Sequence, residues 1–525
     1  MDRLTNRLTI RAENNWSYVS KESPKDSLKW LHKLLAVKLE SMANGEYTTW
    51  ERFLFSYRTF RFPSGMIPYI IENAKKRSIG IDWDWKQSPP YGDLTIADLS
   101  EMFSYLNQHQ IEAFEIMRKH RMGILKHAMG AGKSEQAIVF AYSIPHNTVF
   151  IADEKSLLYQ AKDRWEKRTG TKAGIIGDGK YEIEKFTVAS FDSLYAHRKS
   201  LELRAYLDSI GCMIIDEVHT CAAKTYWSIA MSIPAYYRYG LSATPYGRSD
   251  GMDPYVCAAV GPIIHEVGIE DLYGTRLVPP KVIFYDYDTV KDDYDFRSGG
   301  WISLIKSNRK RAKALLELFR IAPKPCLVFF EWKDHGYKLF KMTEKTGLNA
   351  SIIHGNHSAF QRKQAIDRLN SGEIDILFAS RIFAKGVDIP EVRSCINAAG
   401  MKAAIPALQK LGRGLRLVEG KESLVYFDLV DSGYPTNKEH SRIRYKIYKK
   451  EGLEVFKCSS LEEIQEIIQR NIGTREAAQS TGRILNLYGQ NAASFGNVTR
   501  GKLVEIPNVK FMNGMLCQLR YTDSF

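Results

Sequence analysis

Apolar positions change period several times along this chain. Leu28, Leu31, Leu34, Leu35 and Leu39 recur at helical spacing and predict an amphipathic helix over Leu28–Leu39. Trp50 to Phe62 (WERFLFSYRTFRF) alternates and is rich in aromatics, which predicts one or two strands. Pro63-Ser64-Gly65 then turns the chain into a second helix, Met66–Arg77. From Leu94 short apolar runs alternate with helical stretches, the mark of a parallel sheet covered on both faces. A helix is predicted around Gln110–His120 and another at Ser156–Arg168, with strands at Thr148–Ala152, Phe186–Ala189, Cys212–Ile215 and Tyr237–Leu241. The alternation restarts after Pro279-Pro280, with strands at Val282–Tyr285, Cys326–Phe330, Ser351–His354, Ile374–Phe378, Val392–Asn397 and Leu424–Phe427. Beyond Lys450 the pattern turns polar and mixed; it predicts a helix at Ser460–Gln469 and a strand pair within Val504–Leu519.

The expected fold class is therefore α/β: a small α+β domain (1–93), two tandem parallel-sheet lobes (94–278 and 279–450) and a short C-terminal extension (451–525). A chain of 525 residues is too long for one core, which agrees with this division. Within the first domain, Arg52, Arg58 and Arg61 interleave with aromatic rings, an arrangement suited to stacking on bases and pairing phosphates, while most of the rings are expected in its core. Asp82, Asp84 and Lys86 lack the partner acid that a nuclease site needs. Pro89-Pro90-Tyr91-Gly92 reads as a linker.

Charge sharpens the picture. Lys and Arg number 74 against 60 Asp and Glu, a net +14, which suits a polyanionic partner, nucleic acid before an anionic membrane. The seven cysteines are scattered and never form C-x-x-C, so reduced thiols of a cytoplasmic, intracellular protein are expected, with neither disulfide frame nor zinc site. No apolar run has the length of a bilayer span, and no membrane partner is expected.

The chemistry centres on GILKHAMGAGKS, Gly123 to Ser134. An apolar strand leads into the loop Met129-Gly130-Ala131-Gly132, whose glycines let backbone N–H groups curl around an anion. Lys133 follows to reach the β- and γ-phosphates, and the Ser134 hydroxyl to ligate Mg²⁺. Asp216 and Glu217 stand directly after the strand Met213–Ile215, at the sheet edge where α/β ligand sites lie. There Asp216 is placed to hold Mg²⁺ and Glu217 to orient and deprotonate a water. Gln409, Gly412, Arg413 and Arg416 share one helical face, which fits cationic fingers closing on a γ-phosphate.

Taken together, these segments resemble the ordered motifs of superfamily-2 DExH-box helicases. Asn107 to Gln110 with Glu112-Ala113 resembles the adenine-recognising Q motif, with Gln110 as base reader, and HAMGAGKS resembles motif I, with His127 where Ala is usual. Asp153 to Gln160 and Ala189 to Leu194 resemble the strand-tracking motifs, DEVH motif II and LSATP motif III. In the second lobe Cys326–Phe330 resembles motif IV, ASRIFAKGVDIP motif V, with Gly386 and Asp388 at the ATP cleft, and LQKLGRGLR motif VI. RSDGMD after LSATP, Gly261-Pro262-Ile263-Ile264 and Asp334-His335-Gly336 are similar to UvsW-type phage helicases and XPB-like translocases, whose DNA-recognition domain the N-terminal unit resembles.

The resemblance implies two RecA-like lobes with ATP and Mg²⁺ between them, held by Lys133, Ser134 and Asp216 on one side and Arg413 and Arg416 on the other. It implies coupling of ATP state to strand grip through His219, Ser242, Thr244 and Gln409, and nucleic-acid contacts near Lys155, Ser156, Ser190, Ser380 and Arg381. The expected activity is an ATP-dependent DNA helicase or translocase remodelling forked or branched DNA in phage-type replication, recombination or repair, with single-stranded, forked or branched DNA as partner. An RNA helicase, a restriction-complex motor and an ATP-switched clamp are the alternatives.

Overall fold

The computed structural model describes residues 6–43, 46–86, 98–99, 104, 106–248, 250–287, 300–380, 389–401, 415–450, 452–470, 509–512 and 515–519. These fall into two compact units, one running to Val267 and including the strands at 509–519, the other from Gly268 onward.

The first unit begins with a four-stranded sheet in the order Arg61–Pro63, Trp16–Val19, Arg7–Ala12, Gly80–Trp85. Arg7–Ala12 and Gly80–Trp85 run parallel, so Arg7 and Asp82 form an ion pair across the sheet's exposed side. Helices Lys25–Leu34 and Ile67–Lys76 and a hairpin, Ala36–Ala43 with Glu46–Phe53, complete this α+β region. The helix expected over Leu28–Leu39 stops at Leu34, because the burial period changes there. Leu28 and Leu31 are buried at helical spacing, whereas Leu35, Val37 and Leu39 are buried at every second position, the period of a strand. The aromatic run also divides: Phe55 and Phe62 are core, while Trp50, Phe53 and Tyr57 are exposed.

A ten-stranded sheet follows, in the order Lys180–Glu182, Gly174–Gly177, Phe186–Ala189, Asn147–Ile151, Ile210–Asp216, Tyr237–Ser242, Met122–His127, Ile263–Val267, Met515–Leu519, Val509–Met512. Its central strands are parallel and buried over most of their length, as a sheet covered on both faces requires. The strand pair expected near the C-terminus extends this sheet at the edge of Ile263–Val267.

The α+β region is docked on this lobe. Asn14 and Asn15 side-chain amides donate to the carbonyls of Pro234 and Met231, each at 2.8 Å. Trp16 meets Trp227 edge to face, with centroids 5.9 Å apart. A Cβ built on Gly65 would lie 2.2 Å from the Cys257 carbonyl oxygen and 2.7 Å from that of Ala258. Gly65→Ala is therefore expected to cost about 1–3 kcal/mol by overpacking. Thermal unfolding reads this as a lower Tm, and an unchanged Tm would mean that the two surfaces part without loss.

The second unit is a seven-stranded, all-parallel sheet in the order Ala350–Ile353, Ile376–Ser380, Cys326–Phe330, Ser394–Asn397, Leu424–Leu429, Pro280–Tyr285, Glu454–Cys458. Glu454–Cys458, unexpected from its mixed sequence, closes one edge beside helix Leu461–Gln469. His335 is buried in helix Lys333–Glu344, where burial and the Arg311 charge push its pKa down to about 3. An unfolded chain would take up this proton near pH 6.5 and the folded one only near pH 3. This unit is thus expected to lose stability as pH falls through that window, and His335→Asn to flatten the slope in urea titrations.

Cys212, Cys221, Cys257, Cys326, Cys395 and Cys458 are buried thiols, none of them in a disulfide. No described helix is long and apolar enough to cross a membrane.

Candidate active site

The central strand Met122–His127 delivers the chain into a loop that only glycine tolerates at two points. Gly130 and Gly132 have φ of 86° and 81°, in the left-handed region. Gly132 caps helix Lys133–Ser143, so the first N–H groups of that helix face the loop's hollow with the positive end of its dipole behind them. The Lys133 ammonium folds back on the carbonyl oxygens of His127 (3.1 Å) and Ala128 (3.4 Å). Those carbonyls hold the cation over the loop.

Gln110 lies beneath the same loop, 1% exposed. Its Oε1 accepts the Asn107 N–H (2.9 Å) in a capping box, and its Nε2 donates to the carbonyls of Ala131 (3.4 Å) and Gly132 (3.3 Å). His109 Nε2 is 2.9 Å from the Ala131 oxygen. This helix therefore braces the phosphate loop directly. His127 is braced from below: its Nε2 is 2.7 Å from His265 Nδ1, on the neighbouring strand. Burial, His265 and Lys133 hold the His127 pKa well below the usual imidazole value, so it packs as a neutral ring.

Two strands across the sheet's C-terminal edge supply the acids. Asp216 ends the strand Ile210–Asp216 and accepts the Glu217 N–H on Oδ1 at 3.0 Å. Glu217 has φ of 46°, a strained setting for a residue with a side chain. That turn swings its carboxylate to Ser242, whose hydroxyl donates to Glu217 Oε2 at 3.0 Å and accepts the Thr244 N–H at 3.1 Å. His219 Nδ1 lies 3.4 Å from the same carboxylate oxygen. Motifs that are 25 residues apart in sequence thus meet at one carboxylate.

The two acids are driven apart electrostatically. Burial, and then the Glu217 charge, raise Asp216 to about 6 against the opposing pull of Lys133. For Glu217 burial also acts upward, but His219, the Lys133 charge and the Ser242 hydroxyl outweigh it and lower the pKa to about 2. Glu217 is held ionised, while Asp216 is short of positive charge. A divalent cation supplies that charge, so the donor set fits one. The Thr244 hydroxyl is buried without a protein partner beside them.

The sequence did not point to Arg248 as part of this site. Its guanidinium donates to the His219 carbonyl (3.0 Å) and doubly to Asp250 (3.0 and 2.6 Å), while Gly251 abuts the Lys38 carbonyl of the N-terminal hairpin. The segment after motif III thus ties the motif II turn to the α+β region. The Arg248–His219 bond joins residues 29 positions apart, beyond the reach of periodicity.

The residues expected to contact nucleic acid belong to both units. Lys155 and Ser156 open helix Lys155–Thr169 and are exposed, but Lys155 is ion-paired with Asp178, which raises its pKa. Ser190 caps the helix Phe191–Ala196 by accepting the Ser193 N–H (3.2 Å). Tyr226 joins the two segments, its hydroxyl within hydrogen-bonding distance of Asp153 (3.1 Å) and Asp192 (3.0 Å). In the second unit Ser380 ends the strand Ile376–Ser380, its hydroxyl buried without a protein partner. Arg416 bridges to Leu277. Arg381, Gly386, Asp388, Gln409 and Arg413 lie outside the described residues.

A phosphate loop, a paired-acid strand end and a second parallel sheet define a tandem-lobed P-loop ATPase of the helicase type. Residues 103–247 match the family described as type III restriction enzyme, res subunit, and residues 310–418 match the helicase conserved C-terminal domain. The DNA 3'-5' translocase XPB2 of Sulfurisphaera tokodaii is 26% identical over 367 residues, 62% of this chain and 82% of the relative. Putative helicase 22 of Sulfolobus islandicus filamentous virus is 24% identical over 461 residues, 81% of this chain and 80% of its own. Among solved structures, the ATP-dependent Type ISP restriction-modification enzyme LlaBIII bound to DNA superposes with a TM-score of 0.53 at 14% identity, covering 75% of this chain and 34% of that one. Both matched domains and the named relatives are those of superfamily-2 helicases, and the chain is related to the XPB translocases and to viral helicases. Helicases of these families use ATP.

Proposed function

We propose that this chain is an ATP-driven DNA helicase or translocase that moves along and remodels forked or branched DNA in replication, recombination or repair. The observation that carries the reading is the Glu217 carboxylate, held ionised between Ser242, His219 and the Lys133 charge at the end of the Asp216 strand. In this reading Met129, Gly130, Ala131, Gly132, Lys133 and Ser134 bind the phosphates, and Gln110 supports the loop on the side of the base. Ser134 and Asp216 hold Mg²⁺, which when bound neutralises phosphate charge. Glu217 orients the attacking water and receives its proton. Arg413 and Arg416 contribute cationic charge from the second lobe, and Gly386 and Asp388 contribute to the nucleotide site. Ser242, which bonds Glu217 and accepts the Thr244 N–H, passes the state of the acid pair through Thr244 to the strand-tracking segments, with His219 and Gln409.

Phosphate contacts at Lys155, Ser156, Ser190, Ser380 and Arg381 carry no base information, so binding is expected to be sequence-independent and salt-sensitive. Lys155 must exchange Asp178 for a phosphate, which makes its contribution largest at low salt. The relatives named as DNA translocases and helicases support DNA as the track. The res-subunit match favours a second reading, the motor of a restriction-type complex.

The test is ATPase rate with single-stranded DNA, unbranched duplex, forked DNA, four-way junctions and RNA as stimulants. Forked or branched DNA is expected to stimulate most; stimulation by RNA alone would overturn the assignment, and a preference for unbranched duplex would favour the restriction motor. Lys133→Ala is expected to abolish hydrolysis in the same assay, because it removes the charge that reaches the phosphates and stabilises Glu217. Residual turnover near that of the unmodified chain would remove Lys133 from the site.

A further inference from the structure

The N-terminal region carries an aromatic stack that its own core does not need. The His32 ring lies on Phe53 with centroids 3.9 Å apart and planes 17° apart, and on Tyr57 at 4.8 Å and 29°. Phe55, itself buried, braces the stack edge-on against His32 (6.4 Å) and Tyr57 (5.2 Å), and Phe60 meets Tyr57 edge-on at 6.4 Å. The two outer rings stay open to solvent, Phe53 at 43% and Tyr57 at 42% exposure. Leaving two large rings in water forgoes burial free energy, and ordering them in a stack costs side-chain entropy. The stack is already formed in the chain on its own.

Its borders are cationic. Exposed Lys33 and Arg58 each adjoin one ring of the stack in sequence. Of the nearby acids, Asp26 is paired with Lys29 at 3.4 Å and Glu51 faces Lys38 across the hairpin. A flat aromatic surface with positive edges matches the bases and phosphates of an unpaired strand better than an apolar protein surface.

We propose that Phe53, His32 and Tyr57 form a stacking platform for unpaired bases of DNA, outside the ATP-binding lobes. The platform rests on the DNA-directed reading above and deepens it. Outer bases continue the stack on Phe53 or Tyr57, and the flanking cations take the adjoining phosphates. Duplex DNA offers no free base faces along its length, so the platform distinguishes an open fork arm from paired DNA.

The test measures binding of the full chain to a fork carrying either a thymidine tail or an abasic tail of equal length and charge. The unmodified chain is expected to favour the thymidine tail by at least about fivefold, the lower range for one stacked base. Phe53→Ala with Tyr57→Ala is expected to bind both tails alike, while Phe53→Tyr and Tyr57→Phe keep the preference. Tyr57→Leu, which retains apolar volume without a planar ring, is expected to weaken it, and circular dichroism reports whether each variant is folded. Equal binding of the two tails by the unmodified chain, or a base preference that survives in the double variant or in Tyr57→Leu, overturns the platform. These readouts do not involve turnover: a chain whose ATPase responds to DNA but whose binding ignores bases keeps the helicase reading and loses only the platform.

Discussion

Glu217→Gln is expected to leave nucleotide binding intact and to lower ATP turnover by about 10²–10⁴-fold, the range for loss of a positioned general base. The amide has the shape of the carboxylate, and its oxygen still accepts the Ser242 hydroxyl that now reaches Glu217 Oε2 at 3.0 Å. The backbone at φ 46° also has no reason to relax, since the Glu217 carbonyl keeps the Thr220 N–H at 2.9 Å. What disappears is the negative charge, and with it the acceptor for the water's proton. Steady-state ATPase at saturating DNA, with binding of a fluorescent nucleotide measured in parallel, checks both halves of the expectation. Normal turnover in this variant would refute the base assignment. Weak nucleotide binding with an intact catalytic rate would move Glu217 from chemistry to binding.

Asp428→Ala is expected to destabilise the second lobe by about 3–5 kcal/mol, the range for stranding one member of a buried ion pair. Asp428 is fully buried and takes a two-pronged pair from Arg444, Nε to Oδ2 at 2.8 Å and Nη2 to Oδ1 at 2.9 Å. The same guanidinium donates to the Gly400 carbonyl at 3.0 Å. Beside it, Arg311 pairs with buried Asp431 at 2.8 Å and reaches the Ala398 carbonyl at 3.1 Å. The two arginines thus pin the stretch that follows the strand Ser394–Asn397, from which the chain departs toward Gln409 and Arg413. Urea unfolding reads the loss. The double variant Asp428→Leu, Arg444→Met is expected to lose less than Asp428→Ala alone, since no charge is left unpaired in the core. If the single variant is as stable as the parent, the pair is not holding this region.

Much of the active site was legible because it is local. The loop from Met129 to Ser134 is a contiguous strand, turn and helix start, and its glycines occupy the two left-handed positions. Asp216 and Glu217 follow an apolar run that is a sheet strand, so their place at its C-terminal edge could be read from the run itself. The N-terminal helix ends at Leu34, five residues before the expected Leu39, for the opposite reason. Leucines at 28, 31, 35 and 39 fit a helical spacing, and only the buried alternation of Leu35, Val37 and Leu39 reveals a strand.

Sequence by itself determined the elements whose signal lies within one strand or helix: two alternating α/β lobes, the phosphate loop and the adjacent acids. Tertiary structure alone decided which distant groups share a charge or a hydrogen bond. It set Ser242 on Glu217, His265 under His127, Arg248 on the His219 carbonyl, Gly65 against Cys257, and His32 between Phe53 and Tyr57. Periodicity reports only which side of an element is buried. The partner on that side is chosen by strand order and chain reversal, and the pKa of Asp216 follows from that choice, because desolvation and neighbouring charge exist only once the sheet is assembled.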